Sequence, residues 1–278
     1  MQLKSRYWSD LTTIDFAALA AAPDRSLALA LLPLAATEQH GPHLPTGVDT
    51  TLVDAVVGAA LPRLAQELPL LVLPTQAVGF SPEHGAFPGT LTLDPSTVIR
   101  VWTELGACVA RAGLTKLLLF NAHGGQVGLM DVVARELRRR HGLMVFSASW
   151  FSLPLDPQAL DQFDAAEHRF GIHGGDIETS MMLAARPGFV DMAQARDFAS
   201  AAQQRGAQYP VLGNGRSAKL GWQMQDYNPA GAVGNAARAS ADKGQALIAS
   251  AAQQLALLLQ EISSLAPSTL AKGPLSPA

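Results

Sequence analysis

Four apolar runs, each of strand length, constrain what this chain can fold into. They are Ser26–Ala36 (SLALALLPLAA), Leu68–Val78 (LPLLVLPTQAV), Lys116–Phe120 (KLLLF) and Leu143–Trp150 (LMVFSASW). Such near-continuous apolar runs suit strands buried on both faces. Helical patterns separate them. Thr50–Gln66 places Val53, Val56, Val57, Ala60 and Leu64 at helical spacing. A second helix opens at Asp94–Pro95, with Asp as N-cap and Pro at the first helical position, and carries Val98, Val101, Trp102, Leu105 and Val109 on its core stripe. A third ends near His141, where Arg138, Arg139 and Arg140 complement the helix dipole. The alternation predicts an α/β fold: a single domain with a mostly parallel central sheet and helices on both faces. Ligands of such sheets bind beyond the carboxyl ends of the strands.

The second half is less regular. Asp156–Phe170 reads as a helix, and the segment Gly171–Ser180 leads into a short helix that ends near Arg186–Pro187. Asp191–Ala239 reads as loop. A last helix, from about Ser240 to Leu265, has Leu247, Ala251, Leu255, Leu258 and Ile262 on one face, to pack back onto the sheet. The domain is expected over 1–266, with 267–278 (PSTLAKGPLSPA) a flexible tail or an arm on a neighbour.

Composition excludes several classes of function. With 48% hydrophobic and 15% charged residues, the 278-residue chain can bury a sizeable core. A net charge of −3, without a basic patch, argues against a nucleic-acid partner. The lone Cys108 excludes an internal disulfide and an all-cysteine metal cage, and is expected as a small buried residue. No apolar run reaches the ~18 residues of a membrane span. The first residues, MQLKSRYWSD, lack the apolar core of a signal peptide, so a cytoplasmic protein without membrane partners is expected.

The loops after the first three runs carry the chemistry. Thr37–Asp49 holds Glu38, His40, His43 and Asp49 on a Gly/Pro-broken path, and Glu38 and His40 share a face if extended. His123 follows the third run directly, and Glu178 opens a later helix. Each has an ordinary alternative: Asp49 as an N-cap, His40 and His43 as loop histidines bonded to carbonyls, His123 as a cap, and Glu178 as a dipole partner. Together, Glu38, His40, Asp49, His123 and Glu178 suit mixed imidazole–carboxylate ligation of Zn or Mn, with Fe also compatible. The set exceeds what one catalytic Zn uses but fits two metals ~3.5–4 Å apart, with Asp49 bridging and a bridging hydroxide as nucleophile. His173 can reach this cluster from its loop as proton donor to a leaving nitrogen; its ordinary alternative is a structural loop histidine. Ser81, Glu83 and His84, with Phe80 and Phe87 as apolar cover, read as a substrate wall. Trp150, Phe151, Phe170 and Trp222 could close over a small planar ligand, though such residues are more often core. Neither GxGxxG nor a P-loop follows the first run, which leaves a nucleotide-binding reading without support.

At this point the chain resembles the creatininase (creatinine amidohydrolase) family over nearly its whole length. The resemblance rests on TEQHGPHLPTGVDT, EHGAFPGTLTL, NAHGGQ, HGGDIETS and GNGRSAKLGWQMQDYNPAGAVGNAARASADKG, in the family's order. It implies a binuclear Zn or Mn centre, two ions per subunit, in a homo-oligomer that is usually a hexamer. It places Glu38, His40, Asp49 and His123 on ligand positions, Glu178 on the acidic position of the ETS block, and His173 on the catalytic histidine. Glu178 is thereby assigned both to the metal and to catalysis. Enzymes acting on creatinine itself resemble a variant with an acidic residue two positions after the third-strand histidine; here that position is Gly125. The HGG pattern is more like other branches, which include a formylaminopyrimidine-nucleotide deformylase and a peptidase of a redox-cofactor precursor peptide.

The expectation is therefore a metal-dependent amidohydrolase of a small, creatinine-like cyclic amide or related amide. The deformylase and the peptidase are alternatives within the family. From a different class, a metal-binding protein without catalysis is a further alternative. A phosphorylated nucleotide would need a cationic clamp, for which Arg216 and Lys219 are the loop candidates.

Overall fold

The computed structural model describes residues 3–215, 217–271 and 273. Arg216 and positions 272 and 274–278 of the expected tail lie outside the described residues. After α1 (Thr13–Ala21), the chain runs through β1 (Leu29–Leu34), α2 (Val48–Ala60), β2 (Leu70–Val72), α3 (Pro95–Arg111), β3 (Lys116–Asn121), α4 (Val127–His141) and β4 (Met144–Ser149). Then follow α5 (Pro157–Leu160), α6 (Ala165–Phe170), α7 (Asp176–Ala185), β5 (Asp197–Phe198), α8 (Ala201–Gln208), β6 (Gly234–Asn235) and α9 (Ala241–Ser264).

The first four strands form one parallel sheet in the order β2-β1-β3-β4, with Leu29 opposite both Leu70 and Lys116, and Lys116 opposite Met144. Its side chains alternate between two cores. Leu29, Leu31, Leu118 and Phe120 face α2, α7 and α9, while Ala30, Leu32, Leu117 and Leu119 face α1, α3 and α4. Both faces are buried, which is why the strands read as continuous apolar runs. The chain leaves β1 for β2 on one side and returns to β3 on the other. The crevice beyond β1 and β3 is thus the topological switch point, where α/β sheets bind ligands.

Several boundaries differ from expectation for local reasons. The ladder of β1 covers 29–34 rather than 26–36, because Arg25–Leu27 is a 3-10 turn. The ladder of β2 is limited to three residues at the sheet edge; Pro69 and Pro74, which have no N–H, flank it, and only an isolated bridge from Gln76 to Leu34 continues the pairing. The helix α2 starts at Val48, so Asp49 lies inside its first turn and is not its N-cap. Asp94 precedes α3 but makes no side-chain cap bond. Val101 on α3 is exposed, and Gly106 continues the buried stripe. Cys108 is half-buried and its Sγ lies 2.9 Å from Arg111 Nη2.

Residues 156–170 form two short helices, each capped by an aspartate: Asp156 accepts from the Gln158 N–H and Asp164 from the Glu167 N–H. On α9, Leu259 is fully buried and Leu258 only partly so. The stretch 191–239 includes α8 and an antiparallel β5–β6 pair, and Val233 bridges to His173. Pro267–Thr269 forms a 3-10 turn, and the Ala271 carbonyl accepts from Arg138, so the described part of the expected tail packs back on the domain. No helix among the described residues is long and apolar enough to cross a membrane.

Candidate functional site

The segment leaving β1 carries Glu38 and His40 into the crevice, the first turn of α2 returns Asp49, and the exit of β3 delivers His123. The first turn of α7 adds Glu178, and the loop before it adds His173. Glu38, His40, Asp49, His123 and His173 are all almost wholly buried. His123 Nδ1 lies 3.1 Å from Glu38 Oε1 and 3.7 Å from Asp49 Oδ2. His40 Nε2 lies 3.6 Å from Asp49 Oδ1 and 3.9 Å from Glu178 Oε2. His173 Nδ1 lies 3.7 Å from Glu38 Oε1. Residues up to 140 positions apart in sequence thus meet at one point, and triads drawn from them place their ligand atoms within 4.8 Å of one another.

Backbone carbonyls set the tautomers. A carbonyl can only accept, so the ring nitrogen facing it carries the hydrogen. His40 Nδ1 donates to the Glu38 carbonyl at 3.0 Å, which leaves Nε2 toward Asp49 and Glu178. His173 Nε2 donates to the Gln39 carbonyl at 2.7 Å, which leaves Nδ1 toward Glu38. His123 Nε2 donates to the Phe80 carbonyl at 3.1 Å, which leaves Nδ1 toward Glu38 and Asp49.

Gln39 was not singled out by its sequence, yet its amide is fully used. Its Oε1 accepts from the Gly41 N–H, and its Nε2 donates to the Gly231 carbonyl and to His84 Nδ1 at 2.7 Å. His84 therefore turns its Nε2–H to Glu38 Oε1, 3.4 Å away. The only local hint was position: an amide between two candidate ligands.

Burial and charge push the titrations apart. Burial alone would raise Glu38, but the imidazoles of His123, His84 and His173 hold it well below the usual carboxylate range. Burial works against protonation of His40, yet Asp49 and Glu178 lift it to about 9. Burial, with His40 and His84 nearby, drives His173 well below the ordinary imidazole value. Burial raises Asp49 and Glu178. His173 is accordingly a neutral imidazole.

A cavity of about 390 Å³ opens from this cluster. Glu38, Asp49, His123, His173 and Glu178 line one end, and Trp150, Phe151, Leu155, Leu160, Ile177 and Leu247 form an apolar wall. Of the residues expected to bind substrate, Trp150 lines it. Ser81, Glu83 and His84 do not. They sit on a 3-10 turn that packs them onto imidazoles, with Ser81 Oγ and Glu83 Oε1 at 3.5 and 3.2 Å from His123 Nε2, and the His84 ring 4.2 Å from that of His173. Trp222 is also outside the cavity lining, edge-on to His84 at 6.2 Å. Phe170 is outside it as well, beneath the Arg169 guanidinium. His43 is buried and outside the candidate ligand groups, with Nε2 2.9 Å from Thr179 Oγ1 and its ring stacked on Phe198. Trp150 and Phe151 were among the aromatic residues expected to close over a ligand, whereas Leu155, Leu160, Ile177 and Leu247 come from segments with no local signal of function, and only their packing around the crevice reveals them.

A family model described as creatinine amidohydrolase (Creatininase) matches residues 9–259. The chain is 33% identical over 204 residues to the creatinine amidohydrolase of Pseudomonas putida, covering 68% of this chain and 75% of that one. It is 38% identical over 117 residues to the mycofactocin precursor peptide peptidase of Mycobacterium tuberculosis (strain CDC 1551 / Oshkosh), covering 39% of this chain and 45% of that one. Two solved creatininase structures superpose closely. A manganese form has a TM-score of 0.75 at 27% identity, covering 94% of this chain and 100% of that one. A Zn–Zn form of a variant has a TM-score of 0.74 at 27% identity, covering 95% and 100%.

Proposed function

Because this chain belongs to the creatininase family, we propose that it is a metal-dependent hydrolase of an amide C–N bond, with two Zn or Mn ions held by Glu38, His40, Asp49, His123 and Glu178. The observation that carries this reading is a set of buried polar atoms without hydrogen-bond partners: Glu38 Oε2, His40 Nε2 and Asp49 Oδ2. Leaving such atoms unpaired in the interior is costly, more so for charged groups. A divalent cation among them satisfies all three, and the donor set of imidazole and carboxylate suits Zn or Mn. Bound there, such ions lower the pKa of water and polarise a carbonyl oxygen.

The chain's own groups then do the rest. His173, neutral and fixed by the Gln39 carbonyl, presents Nδ1 to the cluster. It is placed to carry the proton given up by the water that adds to the carbonyl carbon over to the departing nitrogen as the C–N bond breaks. Glu178 shares the same end of the cavity, and its Oε2 accepts from the Gly174 N–H, tying the loop of His173 to α7. The apolar wall excludes water from the far side of the substrate.

The substrate in this reading is a small neutral amide, cyclic as in creatinine or carrying an apolar group. Among the described residues, no lysine or arginine lines the cavity, and Lys219 is exposed, which disfavours a phosphorylated nucleotide. A peptide substrate is the second reading. It is favoured by the wall of Trp150, Phe151, Leu155, Leu160, Ile177 and Leu247, which suits an apolar side chain. A cytoplasmic homo-oligomer, the hexamer among the options, belongs to the same proposal. Sedimentation checks the oligomeric state.

Elemental analysis of protein purified without added metal or chelator is the test, followed by a screen of cyclic amides, formamides and short peptides. Two equivalents of Zn or Mn and turnover of one amide class are expected. Protein that neither carries nor takes up Zn or Mn would overturn the reading. Loaded protein with no activity on any class would favour a binding role without catalysis.

A further inference from the structure

Glu83 has a clear physical assignment that its sequence context conceals. The exit of β2 leads to Phe80 and Ser81, whose N–H groups are held by Gln126 Oε1 and Thr92 Oγ1. A 3-10 turn over Pro82–His84 then aims the Glu83 side chain inward. Its Oε1 stops 3.2 Å from His123 Nε2, and it takes no part in lining the cavity. The imidazole therefore stands between two sets of carboxylates: Glu83 at Nε2, and Glu38 and Asp49 at Nδ1.

Gly125 reports the same arrangement from the other side. It is exposed, so core packing gives no reason for glycine. A Cβ there would meet Glu83 Oε1 at 1.8 Å and His123 Nε2 at 2.5 Å. The volume that any side chain at 125 would fill is already occupied by the Glu83 carboxylate.

We propose that Glu83 is the positioning carboxylate of His123, and that Gly125 is glycine because Glu83 needs its space. This rests on the metal-centre reading above. A carboxylate on the outer N–H of a histidine fixes the ring, selects the tautomer and strengthens the opposite nitrogen as a ligand. The Phe80 carbonyl at 3.1 Å selects the same tautomer. Glu83 adds the charge assistance that a carbonyl lacks.

The test titrates Zn²⁺ into the metal-stripped full-length chain against a chromophoric chelator, for wild type, E83Q, E83A, G125A and the E83A/G125A double variant. E83Q is expected to weaken one Zn²⁺ equivalent by roughly 10–100-fold while leaving the other, and the melting temperature of the metal-free chain, near wild type. G125A should reproduce that loss by displacing Glu83, and the double variant should be no weaker than E83A alone, since both remove one contact. Where G125A fails to fold, E83Q, which adds no bulk, decides the question. Wild-type affinity for both equivalents in E83Q and E83A overturns the inference and leaves the metal centre standing. So does an equal weakening of both equivalents together with a fall in metal-free stability, which marks a packing role only. A wild-type chain that takes up no Zn²⁺ overturns the metal centre itself.

Discussion

His40 and His173 lie with ring centroids 4.1 Å apart and planes tilted by 33°, and each is anchored through its outer nitrogen to the carbonyl of one of two consecutive residues, Glu38 and Gln39. One short length of backbone beyond β1 therefore orients both rings, yet their inward nitrogens differ in use. Nε2 of His40 faces Asp49 and Glu178, while Nδ1 of His173 faces Glu38 and the cavity.

That difference predicts separable effects. His173→Ala should lower turnover by roughly 10²–10⁴-fold while metal content stays at the wild-type value. Steady-state rates and elemental analysis on the same preparation check this. Loss of one metal equivalent along with activity would make His173 a ligand instead.

Asp49 touches both halves of the cluster, through His40 and His123. Adding Zn²⁺ or Mn²⁺ at 1,000 times its dissociation constant should stabilise the stripped protein by about 4 kcal/mol. The gain should largely vanish in Asp49→Asn. Thermal melts with and without metal decide it, and an equal gain in the variant would remove Asp49 from the site.

Glu167 gives a pH signature independent of the ligands. Burial raises its carboxyl to about 7 from 4.5, although the N–H groups of Asn235 and Ile177 donate to it and pull the other way. A carboxyl raised on folding favours the protonated native state. Its contribution is therefore complete below pH 4.5 and is lost as pH rises through 7, by at most about 3 kcal/mol. Denaturant titrations should show that wild type loses more stability than Glu167→Gln between these limits. Parallel curves would refute the shift.

Asp176 and Lys243 join α7 to α9 through a nearly buried pair, with Nζ 2.8 and 2.6 Å from the two carboxylate oxygens. Lys243→Met leaves the Asp176 carboxylate unpaired and should cost about 3 kcal/mol. Urea unfolding measures this. Combining it with Asp176→Asn should recover part of the loss, because no buried charge is then stranded.

The candidate ligands were legible because they lie at strand exits, where polar residues interrupt apolar runs within a few positions of a helix start. Glu38, His40, Asp49 and His123 needed only that pattern and the rule that parallel sheets bind ligands at their carboxyl ends. Glu83 and His84 were legible as functional loop residues but not in their direction. The 3-10 turn points them at His123, Glu38 and Gln39 rather than at open space, and those partners are 40 to 46 positions away. Gln39 and Glu167 were silent, since their bonds to Gly231 and Asn235 span 192 and 68 positions.

By itself the sequence determined the strand–helix alternation, the burial of the sheet on both faces and the collection of imidazoles and carboxylates at one end. Those follow from local periodicity and from which residues can end a strand. Only the tertiary structure decided which nitrogen of each histidine faces the site, which imidazole the Glu83 carboxylate meets, and how apolar the cavity is. These depend on side-chain directions and on carbonyls brought near by long-range packing. No spacing along the chain encodes a distance of 3 Å between segments that meet only after folding.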